Sequence, residues 1–331
     1  MNDRHPMPLR EIAAAIERRN RFLVATHVRP DGDAIGSVLG LTSILRKLGK
    51  TADAYCQDPA PPAQAFLAGA HDIRRRLEDP SLYDAAILVD CGGLRRVGDA
   101  LADSIQRIPL LINIDHHLNN APFGDLYWVN SAASSTCEML YDLCRYLRAP
   151  LDADLAAQLY TGLLMDTGGF RFANTNQRVL EIAGELVAAG ADPAYLAEQA
   201  YESATPEAIQ LLAQVLGTIR FFADNRLASA ELTQQMFTTT GTSPVDSEGF
   251  INHLRSVKSV RLAMLFREDP DGVIHVSLRS KGPVDVAAFA KTHGGGGHRH
   301  AAAFRLNGKL AEVRAQITQE ALSYLTGSER S

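Results

Sequence analysis

The sequence predicts an α/β protein in two parts: a parallel sheet with helices on both faces and, beyond a helical linker, a smaller α+β domain. Three observations carry this. Apolar runs that end in Asp or His alternate with helical patterns through the first half, the layout of strands that cross over through helices. The stretch from Gln177 to about Phe222 is helical in pattern almost throughout. Strand-like segments then return, two of them joined by a turn signal. The boundaries read from these changes are residues 1–190, 191–222 and 223–331.

Taken in order, Arg21 to Thr26 reads as a strand, and Asp33 to Leu48 as a helix stopped by Gly49. Tyr83 to Val89 and Pro109 to Ile114 are mainly apolar, as buried strands are, whereas Ser134 to Leu147 and Asp154 to Leu164 have helical spacing. Asp192-Pro193 and Thr205-Pro206 mark helix starts within the linker. Arg226 to Leu232, Val260 to Arg267 and Val273 to Arg279 read as strands, the last two joined across Asp269-Pro270-Asp271-Gly272. A helix over Val284 to Thr292, a glycine run at 294–297 and a strand over Ala301 to Leu306 follow.

A chain of 331 residues, 46% hydrophobic and 21% charged, can bury an ordinary core, which excludes a disordered chain. Its net charge of −5 offers no broad basic surface, so a long duplex is not the expected partner and any nucleic-acid substrate is short. Cys56, Cys91, Cys137 and Cys144 form no CxxC pair and suggest neither a disulfide framework nor a structural zinc site. Charged residues interrupt the first twenty positions, and no later apolar run reaches the ~18 residues of a membrane span. The expectation is a soluble, cytoplasmic protein without membrane association.

The segment Thr26-His27-Val28-Arg29-Pro30-Asp31-Gly32-Asp33 places an imidazole and two carboxylates directly after a buried strand. Asp90 follows the run ILV, Asp115-His116-His117 follows LLINI, and Asp166 follows GLLM. Carboxyl ends of parallel strands share one edge, where open α/β folds bind their ligands. A single Asp at such a place is ordinarily a helix cap or a turn residue. Six or seven such groups together are not, because crowded carboxylates repel and need counter-charge. Asp31, Asp33, Asp90 and Asp166 carry four negative charges, which two divalent cations neutralise. Mixed imidazole and carboxylate ligands suit Mn²⁺, tolerate Co²⁺ or Fe²⁺ and are less natural for Mg²⁺. Two such ions serve phosphate-ester hydrolysis best.

The segments HVRPDGDA, LVDCGG, IDHH and MDTGGFRF resemble the four motifs of the DHH phosphoesterases, and SLRSKGPVDVAAFAKTHGGGGHRHAAAF resembles the glycine-rich core of their DHHA1 domain. Within that family the chain looks most similar to the NrnA-like nanoRNases, which cleave short oligoribonucleotides and remove a phosphate from 3′-phosphoadenosine 5′-phosphate (pAp). The resemblance implies that His27, Asp31 and Asp90 hold one Mn²⁺ and that Asp33, Asp90, His116 and Asp166 hold the other. It sets His117 against the scissile phosphate, and leaves Asp115 to orient a metal-bound imidazole.

In the second domain, Gly295, Gly296 and Gly297 can bring bare backbone N–H groups to an anion. His298, after them, matches a family histidine expected to touch the substrate phosphate, with His300 a weaker candidate. Arg279 and Ser280 are placed to contact a terminal phosphate or base. Asn252 and Arg255 resemble a further family pattern, and Arg171, just beyond Asp166, is placed either to contact phosphate or to pair with a nearby acid. Ala303 departs from the family pattern, where many relatives carry glycine. Short oligonucleotides and phosphorylated nucleotides are the implied partners, gripped at one end by the glycine-rich domain, and the architecture allows a homodimer. A cyclic- or linear-dinucleotide phosphodiesterase on the same scaffold, and a non-catalytic nucleotide sensor, are the alternatives.

Overall fold

A computed structural model describes residues 6–117, 120 and 122–328, in two compact units, Met1–Ser203 and Ala204–Ser331. The first contains α1 (Met7–Glu17), β1 (Arg21–Ala25), α2 (Gly32–Lys47), β2 (Thr51–Tyr55), β3 (Ala85–Val89), α3 (Asp99–Ile105), β4 (Leu111–Asp115), β5 (Leu126–Val129), α4 (Thr136–Leu147), α5 (Ala153–Asp166), α6 (Gln177–Ala188) and α7 (Pro193–Tyr201). Its five strands are all parallel, in the order β2-β1-β3-β4-β5.

Alternate residues of the central strands feed two cores. Phe22 and Val24 of β1, with Ala85, Ile87 and Val89 of β3, pack under α1, α2, α4 and α5. Leu23, Ala25, Ala86 and Leu88 pack on the opposite face under α3. Strands buried on both faces read as continuous apolar runs, which is why β1, β3 and β4 are legible in sequence. The strand order reverses between β1 and β3, and the crevice outside their carboxyl ends is where such a sheet takes a ligand.

The second unit contains α8 (Pro206–Leu216), β6 (Arg220–Phe222), β7 (Leu227–Leu232), α9 (Gln234–Thr240), α10 (Ile251–Ser256), β8 (Leu262–Glu268), β9 (Val273–Ser280), α11 (Val286–Lys291), β10 (Gly296–His298), β11 (Ala301–Asn307) and α12 (Leu310–Ser328). Its mixed sheet runs β10-β11-β9-β8-β7-β6, with only β7 and β8 parallel. One core lies against α11 and α12, the other against α8, α9 and α10. The stretch read as a linker divides between the two units: α7 packs on α5, while α8 packs on α9 and β7. Phe222, read as the end of a helical stretch, belongs to β6, and the helix before it ends at Leu216. The glycine run is not an open loop, since Gly296–His298 pairs antiparallel with Ala301–Ala303 as an edge strand.

Candidate metal centre

Five elements bring the predicted acidic and imidazole groups to the carboxyl edge of the first sheet. His27 leaves β1 with its Nδ1 2.9 Å from the Val28 carbonyl, which turns Nε2 to within 3.6 Å of Asp90 Oδ2. Asp31 caps α2 by accepting from the Ala34 N–H, and Asp33 enters from the first turn of the same helix. Asp90 follows β3 with φ of 53°, a left-handed conformation unusual for a residue with a side chain. That strain is the kind concentrated at functional sites, where neighbouring contacts hold it.

His116 lies at the centre. Its Nε2 is 3.1 Å from Asp166 Oδ2, 3.5 Å from Asp90 Oδ1 and 3.7 Å from Asp33 Oδ2, while Nδ1 sits 3.4 Å from the Ala133 carbonyl. Three sets of donor atoms, His27/Asp31/Asp90, Asp33/His116/Asp166 and Asp90/His116/His117, each lie within 4.8 Å of one another. Asp166 is the last residue of α5, the helix whose spacing was read over Asp154 to Leu164.

Burial makes this gathering costly. Asp33 and Asp90 are each 1% exposed, and Asp166 is held beside them. Burial, and then repulsion from Asp90 and Asp166, push the Asp33 carboxyl well above its ordinary range. Burial, with repulsion from Asp31 and Asp90, also raises Asp166 against the pull of His116. Burial alone would raise Asp90, but the adjacent His27, His117 and His116 imidazoles hold it low. Burial alone would lower His27, yet Asp90 and Asp31 raise it to about 9. His116 is raised likewise, mainly by Asp166, against its own desolvation. The ion pairs of Asp33, Asp90 and Asp166 described here are with imidazoles. Imidazoles are the ligands that can give up their protons to a divalent ion, and a centre of this donor set fits such an ion.

Asp115 faces a different imidazole from the one expected. Its Oδ1 takes the Nδ1 of His117 at 2.7 Å, whereas the outer nitrogen of His116 is held by a backbone carbonyl. In the second unit, Arg255 Nε donates to the Ser280 carbonyl at 3.1 Å, and Ser280 Oγ lies 2.9 Å from His300 Nδ1. The Ser280 hydroxyl donates to the Val284 carbonyl at 2.7 Å and is 1% exposed, so it braces the wall rather than opening to solvent. Arg279 stands on β9 with Nη1 donating to the Leu278 carbonyl, and Asn252 is exposed on α10. Arg171 Nε is taken by the Gly168 carbonyl at 2.6 Å. A Cβ at Gly295 would meet the Ala303 carbonyl at 2.2 Å, and one at Gly297 would meet the Ala301 carbonyl at 2.4 Å; one at Gly296 would meet nothing within 4 Å. The first and third glycines are therefore needed for close strand packing. The side chain of His298 lies outside the described residues.

Comparison with known proteins places these features. A family model described as "DHH family, N-terminal domain" matches residues 21–163, and one described as "DHHA1 domain" matches residues 228–326. A Thermus thermophilus protein named bifunctional oligoribonuclease and PAP phosphatase NrnA is 35% identical over 318 residues, covering 93% of each chain. The chain belongs to the DHH phosphoesterase family. This DHH phosphoesterase, a hydrolase of phosphate esters, is also 32% identical to the Bacillus subtilis protein of the same name, over 87% of this chain and 90% of that one. An exopolyphosphatase-related protein from Bacteroides fragilis shares its structure with a TM-score of 0.91 and 27% identity, over 99% of this chain and 100% of that one.

Sequence reasoning missed the groups that hold the candidate ligands in place. The first backbone N–H groups of α4 point at Asp33: Thr136 N donates to Oδ2 at 2.7 Å and Cys137 N to Oδ1 at 3.1 Å. Thr136 Oγ1 donates to Asp90 Oδ1 at 3.1 Å. A helix amino end supplies both orphan donors and the positive end of its dipole, which suits a buried carboxylate. The signal for that helix start was present, since Ser135 and Glu138 have capping-box spacing and the Ser135 side chain accepts from the Glu138 N–H. Asn113 and Asn120, which bond to each other at 2.8 Å beside Asp115, were also overlooked.

Proposed function

We propose that the chain hydrolyses short oligoribonucleotides to mononucleotides and converts pAp to AMP, with two Mn²⁺ ions held by the DHH unit. The observation that carries this reading is the gathering of Asp33, Asp90 and Asp166 around His27 and His116 at the point where the strand order reverses. His27, Asp31 and Asp90 would hold one ion, and Asp33, Asp90, His116 and Asp166 the other, with Asp90 shared. The printed names of the Thermus and Bacillus relatives support the substrate class. Bound there, the ions would supply Lewis-acid polarisation of the phosphoryl oxygen and acidify the attacking water.

The chain's own groups do the positioning. Thr136 and the amino end of α4 hold the Asp33 and Asp90 carboxylates in fixed orientations. Asp115 holds Nδ1 of His117, and His117 presents the opposite ring nitrogen, Nε2, to the scissile phosphate, where it holds a proton for the leaving oxygen. In the DHHA1 unit, Arg279, Arg255, Asn252, His298 and the backbone at Gly295, Gly296 and Gly297 contact the substrate's terminal phosphate or base. Four free, buried cysteines suit a reducing cytoplasm, and no described helix is long and apolar enough to cross a membrane.

Release of phosphate or mononucleotide in Mn²⁺ is the test, on pAp, a 5′-phosphorylated dinucleotide, a cyclic dinucleotide, pyrophosphate and a 20-mer. The expected result is turnover of the first two and little of the last. Exclusive turnover of the cyclic dinucleotide, or none of any substrate, would overturn the reading.

A further inference from the structure

We infer that Asn120 is a positioning residue for His117, acting through Asp115, and that Asn113 ties this arrangement to the turn that carries Asp90. The inference rests on the reading of His117 as the group at the scissile phosphate.

The amide nitrogen of Asn120 donates to Asp115 Oδ2 at 2.7 Å and to Asn113 Oδ1 at 2.8 Å. Both partners are acceptors, so only the nitrogen of the Asn120 amide can face them, and its orientation is determined. Asn113 is determined in turn, because its own nitrogen donates to the carbonyls of Cys91 at 3.1 Å and Leu88 at 3.4 Å. Those two carbonyls bracket Asp90, the residue in the left-handed conformation. The remaining oxygen of Asp115 takes His117 Nδ1. Asn113 and Asp115 are 0% exposed and Asn120 is 9% exposed, so water does not compete for these bonds.

A continuous chain of hydrogen bonds thus runs from the Asp90 turn through Asn113, Asn120 and Asp115 to His117. A buried carboxylate with one oxygen on an imidazole and the other without a donor would rotate toward solvent, and the ring would lose its aim. Asn120 supplies the second donor. Its two N–H groups divide between Asp115 and Asn113, so a single amide sets the carboxylate plane and hence the direction of His117 Nε2.

The test is a double-mutant cycle on the full chain. Asn120→Ala is expected to lower kcat by about 10- to 100-fold, the range for losing such an outer partner, with KM and Mn²⁺ content unchanged. In a His117→Ala background the same substitution should change the residual kcat by less than about twofold, since the residue through which it acts is gone. A readout independent of turnover is the downfield Nδ1–H proton resonance of His117 in Mg²⁺-loaded full-length protein, present in the parent and lost in Asn120→Ala. Equal losses of kcat in both backgrounds, an unchanged kcat, or an unchanged resonance would overturn the inference. Should Asn120→Ala fail to fold, Asn120→Ser takes its place in the same cycle; its hydroxyl can still donate to Asp115, and a larger share of kcat should survive. If no phosphate ester is turned over at all, the functional reading fails, while the resonance still decides the hydrogen-bond chain.

Discussion

Gly162 lies on α5 where that helix crosses α2, and a Cβ built there would stand 2.3 Å from Cys137 Sγ and 2.4 Å from Asp33 Oδ1. Both neighbours belong to the candidate metal centre or its support, and neither is the loose end of a flexible chain. Gly162→Ala therefore tests whether close helix packing positions Asp33. Overpacking of a filled interior costs about 1–3 kcal/mol, of which the better helix propensity of alanine returns up to ~1 kcal/mol. A net loss of about 1–2 kcal/mol lowers the Tm of a unit this size by roughly 2–8 °C. The larger effect should be on the site, because Asp33 cannot keep its bond to the Cys137 N–H and also clear the new methyl group. Mn²⁺ affinity, measured by calorimetry, should fall at least about tenfold. Gly184→Ala is the control: Gly184 sits on α6 with nothing within 4 Å of its Cβ position, and that change should raise stability by roughly 0.5–1 kcal/mol. If Gly162→Ala bound Mn²⁺ and melted as the parent does, the helix crossing would not be what places Asp33.

Asp90→Ala removes the carboxylate common to two of the donor sets and should abolish turnover and bound manganese together; near-normal metal content by elemental analysis would show the ligand map to be wrong. Arg279→Ala should raise KM by about tenfold with kcat held within about threefold, and a loss confined to kcat would place Arg279 at the chemistry instead. The third concerns protons. In the metal-free protein His27 titrates near 9, above its ordinary 6.5, so its contribution to stability is complete below pH 6.5 and lost as pH rises through 9. Because Mn²⁺ must displace that proton, binding at pH 7.5 should release protons, and affinity should climb with pH up to about 9. Calorimetry in buffers of different ionisation enthalpy reads the release directly, and identical heats in all of them would contradict it.

How much of this could be read without coordinates depends on where each residue sits in the sheet. Strands β1, β3 and β4 occupy the middle, are covered on both faces, and announce themselves as apolar runs. Strands β2 and β5 lie at the two ends of the order; their sequences TADAY and LYWV are short, and only one of the four β5 residues, Trp128, is buried. Their signals merge with the loops around them. The candidate acidic ligands were legible because they follow strands or lie at the ends of helices. Their orientation was not, since the donors to Asp33 lie 103 and 104 residues away on α4. The steric need for Gly295 and Gly297 depends likewise on the backbone of β11, which no local pattern reveals.

The centre is also a case of local cost held by global packing. Asp33 and Asp90 are as buried as the core leucines beside them, yet the positive charge they meet comes from imidazoles and from the amino end of α4. Buried charge of one sign destabilises a fold unless it is neutralised, and neutral imidazoles do little. The fold fixes the carboxylates by separate hydrogen bonds: Asp33 to backbone N–H groups at the start of α4, Asp90 to the Thr136 hydroxyl of the same helix, and Asp115 to the Asn120 amide. It thereby holds a preformed arrangement that a dication would stabilise. Binding at a hundred times the dissociation constant contributes ~2.7 kcal/mol to folding. Loading with Mn²⁺ should accordingly raise the melting temperature of the first unit, where all the proposed ligands lie. The second unit, whose cores contain none of them, should melt unchanged with or without the metal.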